Sequence, residues 1–211
     1  MDTLDYLLQR FGITKMTRTM PVIVPDIGRE DLAMIFGELG FKTGVEIGVL
    51  EGEYSEVLCK ANPGLKLYSV DPWLVRDDYH DFRDQEVFNE YEKKARERLA
   101  PYNCVIVKDF SLNAVNGFED NSLDFVYIDG HHDFKNCALD IIEWTPKIRI
   151  GGIISGHDYA RFRWPYKVHV VEVVNAYTAA YHIKPWFVLG TKERIEGQKR
   201  DKYRSFLWVK V

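Results

Sequence analysis

The sequence predicts an α/β fold: a doubly wound, mostly parallel sheet of seven strands with helices on both faces. Two observations lead to this prediction. Short aliphatic runs alternate along the chain with longer segments of helical period, as in sheets whose strands are joined by crossover helices. The last two apolar runs, 187–189 and 206–209, have no helical segment between them. We therefore expect an antiparallel last strand at the end of the sheet.

Composition limits the class of protein. The 211 residues are 46% hydrophobic and 14% aromatic, enough for one packed α/β domain. A net charge of -4 offers no basic face, so we expect no nucleic-acid partner. Cys59, Cys104 and Cys137 form no CxxC pair, which is typical of reduced thiols in a cytoplasmic protein. The sequence contains no signal-peptide pattern and no run of about 18 apolar residues, so we expect no membrane association.

The first 40 residues precede the first strand of the predicted sheet. They contain two helical segments, 4–11 and 29–39, joined by a proline-containing linker. A separate domain of this size would bury too little apolar surface to be stable. We therefore divide the chain into a short N-terminal helical cap or dimer arm, 1–40, and a main domain, 41–211.

In the main domain, each predicted strand is short, aliphatic and bounded by turn residues, and each predicted helix has apolar residues three or four apart. Stop signals such as Asn62-Pro63-Gly64 separate them, and Asp133 is expected to cap one helix. The elements are strand 45–49, helix 53–61, strand 67–71, helix 85–99, strand 104–108, helix 111–116, strand 123–129, helix 134–147, strand 152–155, helix 165–182, and strands 187–189 and 206–209.

Acids occupy the ends of three predicted strands. Glu46 lies near the end of the first, Asp71 ends the second and Asp129 ends the fourth. Strand ends face the ligand crevice in this class of sheet, so we expect the three carboxylates to converge there. A carboxylate after the second strand is placed to accept the hydroxyls of a ribose. Asp71 is therefore the candidate for binding an adenosine-containing ligand, and a turn or cap role before Pro72 is the alternative.

The turn after the first strand discriminates between ligands. A dinucleotide site requires G-x-G-x-x-G close to a pyrophosphate, whereas this turn contains Glu46, then Gly48 and Gly52. Acids at Glu46 and Glu51 are poor neighbours for a pyrophosphate but suit a ligand that carries an ammonium and a sulfonium. The pattern E-x-G-x-x-x-G, followed by Asp71, resembles the first motif of class I S-adenosylmethionine-dependent methyltransferases.

A second stretch resembles a more specific signature. The run Ile-Asp-Gly-His-His-Asp-Phe at 128–134 is followed by Asp140, Trp144, Gly151, Gly152, His157 and Asp158. This order is similar to that of a small methyltransferase subgroup related to metal-dependent sugar and catechol O-methyltransferases. The resemblance covers 45–158 and the C-terminal hairpin. It implies a Rossmann-like, seven-stranded methyltransferase sheet and S-adenosyl-L-methionine as the cofactor.

The resemblance implies which residues surround the methionine and ribose parts of the cofactor. Glu46, Gly48 and Gly52 would surround the methionine part, and Asp71 would bind the ribose hydroxyls. Asp129 would end the strand beside the transferred methyl group. The first motif thus identifies the methyl donor and says nothing about the acceptor.

The adenine is assigned to the ends of the second and third strands. Trp73 would stack on it or shield it, and a core position for this ring is an equal alternative. Asp109, Phe110 and Ser111 end the third strand, where the family reads the adenine edge.

Asp129, His157 and Asp158 form the metal site that the resemblance implies, at the ends of neighbouring strands. Metal-dependent relatives use oxygen ligands at the matching positions, and oxygen ligands suit Mg²⁺. His157 replaces an oxygen and favours Mn²⁺ or another ion that accepts imidazole. The alternative is a site without metal, in which Asp158 caps a turn.

Catalysis at a hydroxyl requires a group that takes its proton. The candidate catalytic residues are Asp129, His132 and His157. His131 competes with His132 as a general base, but His132 matches the family's position. The alternative for His132 is a hydrogen bond that orients Asp129.

Substrate contacts are expected from the N-terminal cap and from the loops 73–82, 159–166 and 192–203. The second of these loops carries Arg161 and Arg163, which suit a sugar or an anionic group, although solvated arginines are equally compatible.

The resulting hypothesis is methyl transfer to a small-molecule substrate, at a hydroxyl oxygen of a sugar or another polyhydroxylated or phenolic compound. The protein would be cytoplasmic, and a homodimer is compatible with the sequence. The alternatives are a metal-dependent hydroxylase-like relative, an NAD-dependent dehydrogenase of the same fold class, and a non-catalytic binding protein.

Overall fold

The computed structural model describes residues 1–75, 84–162, 168–196 and 198–211. The strands are β1 (Val22–Val24), β2 (Thr43–Ile47), β3 (Lys66–Val70), β4 (Cys104–Val107), β5 (Leu123–Ile128), β6 (Ile148–Gly156), β7 (Phe187–Leu189) and β8 (Ser205–Val209). The helices are α1 (Thr3–Arg10), α2 (Arg29–Glu38), α3 (Glu53–Ala61), α4 (Gln85–Leu99), α5 (Ser111–Ala114), α6 (Phe134–Trp144) and α7 (Val170–Ala180).

The strands form one sheet in the order β1-β7-β8-β6-β5-β2-β3-β4. All neighbouring strands are parallel except that β8 runs antiparallel to both β6 and β7. The predicted fold class, a doubly wound sheet with an antiparallel last strand, is confirmed. The chain order reverses between β2 and β5, so the loops that leave these two strands lie side by side. This reversal positions the candidate site.

The sheet has one more strand than the sequence predicts. β1 lies in the segment interpreted as a linker and pairs in parallel with β7, with Val22 opposite Phe187. Three residues are too few to show a period of two, and prolines at positions 21 and 25 flank them. An edge strand tolerates such neighbours because only one side of it is paired.

The N-terminal helices pack against the sheet. Leu7 of α1 and Leu32 and Phe36 of α2 are buried in the same hydrophobic cluster as Phe125 of β5. The rings of Phe36 and Phe125 stack at 4.1 Å. A second cluster covers the opposite face of the sheet, so both faces are buried by helices.

Most boundaries lie within two residues of those expected from the sequence, and the capping role of Asp133 is confirmed. Its carboxylate accepts hydrogen bonds from the Lys135 and Asn136 amides at 2.8 and 3.2 Å. The expected start of the helix 165–182 falls partly on residues 163–167, outside the described residues. No helix within the described residues combines the length and the apolar character needed to cross a membrane.

Candidate active site

The loop between β2 and α3 presses against the end of β5. Gly48 has a φ of 87°, and a Cβ added there would lie 2.1 Å from the carbonyl oxygen of Asp129. Its amide also donates to the Val70 carbonyl at 2.9 Å. Only glycine combines this backbone conformation with such a close approach. The requirement for Gly48 therefore comes from bringing β2, β3 and β5 together at the crevice.

Asp71 ties this loop to the end of β3. Its carboxylate accepts from the amides of Val49 at 2.8 Å, Leu50 at 3.1 Å and Trp73 at 2.8 Å. Burial raises the pKa of Asp71, and the three amides oppose that effect. A carboxylate has about four acceptor positions, so roughly one remains for a ligand hydroxyl. The structural role left open by the sequence is present, and ribose binding stays a prediction.

Trp73 lies in the core of this corner of the molecule. Its side chain is fully buried in a cluster with Val49, Phe88 and Leu99. The indole nitrogen donates to the Leu50 carbonyl at 2.9 Å. The ring has no face open to a ligand in this arrangement. Its packing matches the core alternative, and an adenine contact would require the ring to move.

The residues at the end of β4 form hydrogen bonds within α5 and to α6. The Asp109 carboxylate accepts from the Phe110 amide at 2.7 Å and from the Asn113 side chain at 2.9 Å. Ser111 donates to Asp140 of α6 at 2.5 Å. These bonds hold α5 in place beside the crevice, and contact with the adenine edge stays a prediction.

The Glu46 side chain is buried and hydrogen-bonded to α3. Successive residues of a strand face opposite sides, and Glu46 lies on the face covered by α3, where it is fully buried. Ser55 donates a hydrogen bond to it, and Ser69 lies 2.7 Å from the Ser55 hydroxyl. Burial raises the pKa of Glu46 well above its usual range, although the Ser55 bond opposes this. The sequence argument places this carboxylate beside the methionine part of the donor, and that contact stays a prediction.

Three side chains converge at the ends of β5 and β6. His132 Nε2 lies 2.9 Å from Asp158 Oδ2 and 3.3 Å from Asp129 Oδ1. One ligand atom from each residue lies within 4.8 Å of the others, which makes this a candidate metal site. Asp158 adopts a φ of 55°, which is unusual for a residue other than glycine and is often retained at functional sites.

The charges in this cluster depend on one another. Burial disfavours a charge on His132, but the two carboxylates outweigh it and raise its pKa to about 10. Burial likewise opposes ionisation of Asp129, yet His132 and His157 keep its pKa below the usual range. The histidine therefore holds a proton between two carboxylates at neutral pH. A divalent cation could take the place of that proton, since metal ligation requires neutral imidazole and ionised carboxylates.

His157 lies behind this cluster. Its Nδ1 is 3.7 Å from Asp129 and 3.9 Å from Asp158, and its Nε2 is 3.6 Å from Asp201. The structure thus groups His132 with the two aspartates, whereas the sequence grouped His157 with them. His157 directly continues β6 and faces Tyr127, at a ring distance of 6.5 Å. Spacing along the sequence could not distinguish the two histidines. His157 adjoins Asp158, and His132 lies in the loop that begins at Asp129.

Two residues near this cluster were not expected from the sequence. Asp201, in the hairpin between β7 and β8, accepts from the amides of Tyr203 and Arg204 at 3.3 and 2.9 Å. Arg29, the first residue of α2, lies over the Tyr54 ring at 5.2 Å. Both belong to segments, the N-terminal cap and the loop 192–203, from which the sequence analysis expects substrate contacts without singling out either residue. No local pattern marks them, because their position depends on long-range packing.

Comparison with protein families and curated proteins gives two matches. A family model described as a methyltransferase domain matches residues 45–159. The uncharacterized protein y4gI of Sinorhizobium fredii (strain NBRC 101917 / NGR234) is 24% identical over 118 residues. The match covers 54% of this chain, and the chain spans only 13% of the length of that relative.

Solved structures provide similar folds at low identity. Cofactor-bound Rv0187 from MTB has a TM-score of 0.61 and 16% identity, covering 98% of this chain and 89% of its own. The O-methyltransferase from Bacillus cereus in complex with SAH has a TM-score of 0.58 and 16% identity, covering 99% and 90%. Likeness at this identity concerns the fold alone. Since the family model spans more than half of the residues, the chain belongs to the methyltransferase domain family, with the fold of class I S-adenosylmethionine-dependent methyltransferases.

Proposed function

We propose that this protein transfers a methyl group from S-adenosylmethionine to a hydroxyl oxygen of a small-molecule acceptor, at a divalent cation held by Asp129, His132 and Asp158. The observation that carries the proposal is the convergence of these three side chains beside the glycine loop of β2. When bound, the donor supplies an electrophilic methyl group on a sulfonium. The residues of the chain bind and orient the donor and offset its positive charge.

The crevice suits this donor in shape and charge. Gly48 lets the β2–α3 loop approach the end of β5 closely, and Asp71 retains about one acceptor position for a ribose hydroxyl. Asp129 and Asp158 provide negative charge, which offsets the ammonium and sulfonium of the donor.

The ligand atoms of Asp129, His132 and Asp158 also suit a divalent cation. Ligands bound at about 2.1 Å and at right angles lie roughly 3 Å apart. The separations of 2.9 and 3.3 Å from His132 Nε2 to the two carboxylates are close to that value. Two carboxylates and one imidazole favour Mn²⁺ or a similar ion over Mg²⁺. When bound, such an ion lowers the pKa of a coordinated hydroxyl.

The protein's own contribution is alignment and proton acceptance. In-line transfer requires the acceptor oxygen to lie close to the methyl group along the axis of the breaking bond. Asp129 and Asp158 flank that position and can accept hydrogen bonds from an acceptor hydroxyl. His132 already holds a proton between them at neutral pH, so it is a poor general base unless that proton is displaced.

Donor binding is tested by calorimetry with S-adenosylmethionine, S-adenosylhomocysteine and NAD. We expect binding of the first two and none of NAD, because the loop lacks a third glycine for a pyrophosphate. If none of the three binds, the proposal fails. NAD binding alone would instead support a dehydrogenase.

Cation binding is tested by Mn²⁺ titration followed by electron paramagnetic resonance. We expect Asp158→Asn and His132→Asn to weaken Mn²⁺ binding about tenfold or more. His157→Asn is the matched control and should bind within about twofold of the wild type, since His157 lies outside the ligand set. Loss of Mn²⁺ in His157→Asn but not in His132→Asn would restore the ligand set expected from the sequence.

A further inference from the structure

Arg29 places a cation in the candidate active site from the N-terminal segment. It is half-buried at the start of α2, and its guanidinium carbon lies 5.2 Å from the centre of the Tyr54 ring. Tyr54 donates to the backbone carbonyl of Arg29 at 2.8 Å, which fixes the helix start against α3. The Tyr54 ring in turn packs on Tyr127 of β5 at 4.4 Å. The guanidinium is therefore held above the carboxyl ends of β2 and β5.

Apart from the Tyr54 ring, the guanidinium of Arg29 has no partner among the described residues. Within residues 1–75, 84–162, 168–196 and 198–211, its guanidinium forms no hydrogen bond or ion pair. Burial disfavours its charge, but Tyr127, Asp129, Tyr54 and Asp201 outweigh that effect and raise its pKa. The two tyrosines are uncharged at neutral pH, so Asp129 and Asp201 are the charges that attract the cation there. A half-buried guanidinium with no hydrogen-bond acceptor among the described residues is costly unless a ligand supplies one.

One oxygen of the Asp201 carboxylate, in a segment tied to the start of α2, also lacks a hydrogen bond among the described residues. This oxygen, Oδ2, is buried. The segment carrying Asp201 is tied to the start of α2, since Lys199 donates to Asp31 at 2.7 Å and to the Pro25 carbonyl at 2.9 Å. The C-terminal hairpin and the N-terminal segment therefore form one wall that presents both polar groups. Buried polar atoms without partners are uncommon in native structures. Oδ2 of Asp201 can take only a hydrogen-bond donor of a ligand, so the case for an anion rests on Arg29.

We propose that Arg29 binds a carboxylate, or a similar anion, of a ligand in the crevice opposite Asp129. The inference rests on the proposed function and adds a binding residue to it. A guanidinium can donate two parallel hydrogen bonds to a carboxylate, and this geometry makes arginine selective for planar anions. Two sources offer this chemistry: the methionine carboxylate of the methyl donor and an anionic group on the acceptor.

The experiment compares two ligands in the purified full chain. S-adenosylhomocysteine carries the amino-acid carboxylate, whereas 5′-methylthioadenosine shares its adenosine and thioether but lacks the carboxylate. If Arg29 binds the donor, Arg29→Gln weakens S-adenosylhomocysteine binding about tenfold or more and leaves 5′-methylthioadenosine unchanged. Arg29→Lys should lose part of that affinity, because it keeps the charge and loses the planar donor pair.

A second arm detects an acceptor anion. The wild type is saturated with S-adenosylhomocysteine, and the Nε–Hε resonance of Arg29, assigned by its loss in Arg29→Gln, is followed as acetate is added. A saturable shift, with unchanged S-adenosylhomocysteine affinity in Arg29→Gln, assigns Arg29 to the acceptor. Arg10→Gln is the control, since it removes a cation that pairs with Glu38 at 3.3 Å outside the crevice. Thermal unfolding of each variant verifies that it is folded.

The inference is overturned if Arg29→Gln binds S-adenosylhomocysteine like the wild type and acetate causes no shift. An equal loss for both nucleosides also overturns it, because that result indicates a structural role. These outcomes differ from failure of the proposed function, in which the wild type binds neither S-adenosylhomocysteine nor 5′-methylthioadenosine.

Discussion

The two sides of the crevice use acidic residues in different ways. On the β2–β3 side, Glu46 and Asp71 are buried and bonded to a serine or to backbone amides. On the β5–β6 side, Asp129 and Asp158 are only partly buried and share one histidine. A carboxylate bonded mainly to internal donors helps to build the loop that receives a ligand. A carboxylate close to another one keeps unused acceptor capacity and is suited to chemistry.

The largest effect is expected on the β5–β6 side. Asp129→Asn removes a charge from the cluster, and we expect turnover to fall about 10²- to 10⁴-fold. S-adenosylhomocysteine affinity should change far less, because the β2–β3 side stays intact. An acceptor is first found by screening hydroxylated compounds. Turnover is then measured as the release of S-adenosylhomocysteine in the presence of that acceptor. A variant with wild-type turnover would remove Asp129 from the chemistry.

The next effect concerns the contact between the two sides. Gly48→Ala places a Cβ against the Asp129 carbonyl at a positive φ, so we expect the free energy of unfolding to fall by about 3 kcal/mol. Gly12→Ala is the matched control: its φ is 65°, but a Cβ there meets nothing within 4 Å. It should cost about 1 kcal/mol, from the backbone conformation alone. Chemical denaturation compares the two, and equal losses would contradict the close approach at Gly48.

A smaller effect separates a core tryptophan from an adenine-binding one. Trp73→Phe keeps an aromatic ring and removes the indole bond to Leu50. We expect the free energy of unfolding to fall by about 1 kcal/mol. S-adenosylhomocysteine affinity, measured by calorimetry, should stay within about twofold of the wild type. A loss of affinity much larger than the loss of stability would instead place Trp73 against the adenine.

The smallest effect depends on pH and arises from Glu46. Its folded-state pKa is raised above the unfolded value of about 4.5, so the protonated form is favoured in the folded protein. Its contribution to stability is fully present below that pH and is lost as pH rises through the folded pKa. Glu46→Gln should therefore gain stability relative to the wild type as pH rises above about 4.5. Urea denaturation from pH 4 to 8 measures this difference, and a constant difference would contradict a buried, pKa-raised Glu46.

Much of the fold could be predicted from the sequence, because its signals are local. Helices α3 and α4 match the expected ranges, since a stop at Asn62-Pro63-Gly64 and a strong apolar stripe define them. The prediction was incomplete at β1, which has too few residues to show a period. At the candidate site, the sequence grouped His157 with Asp129 and Asp158, whereas His132 lies closer to both in the structure.

The sequence by itself determined the order of strands and helices, the glycine loop at Gly48 and the acids that follow the strands. These features depend on backbone conformation and on residues a few positions apart. Only the tertiary structure decided that Glu46 faces inward, that His132 joins Asp129 and Asp158, and that Arg29 reaches the crevice. The direction in which a side chain points depends on strand alternation and on packing between segments far apart in the sequence. No local sequence pattern indicates that packing.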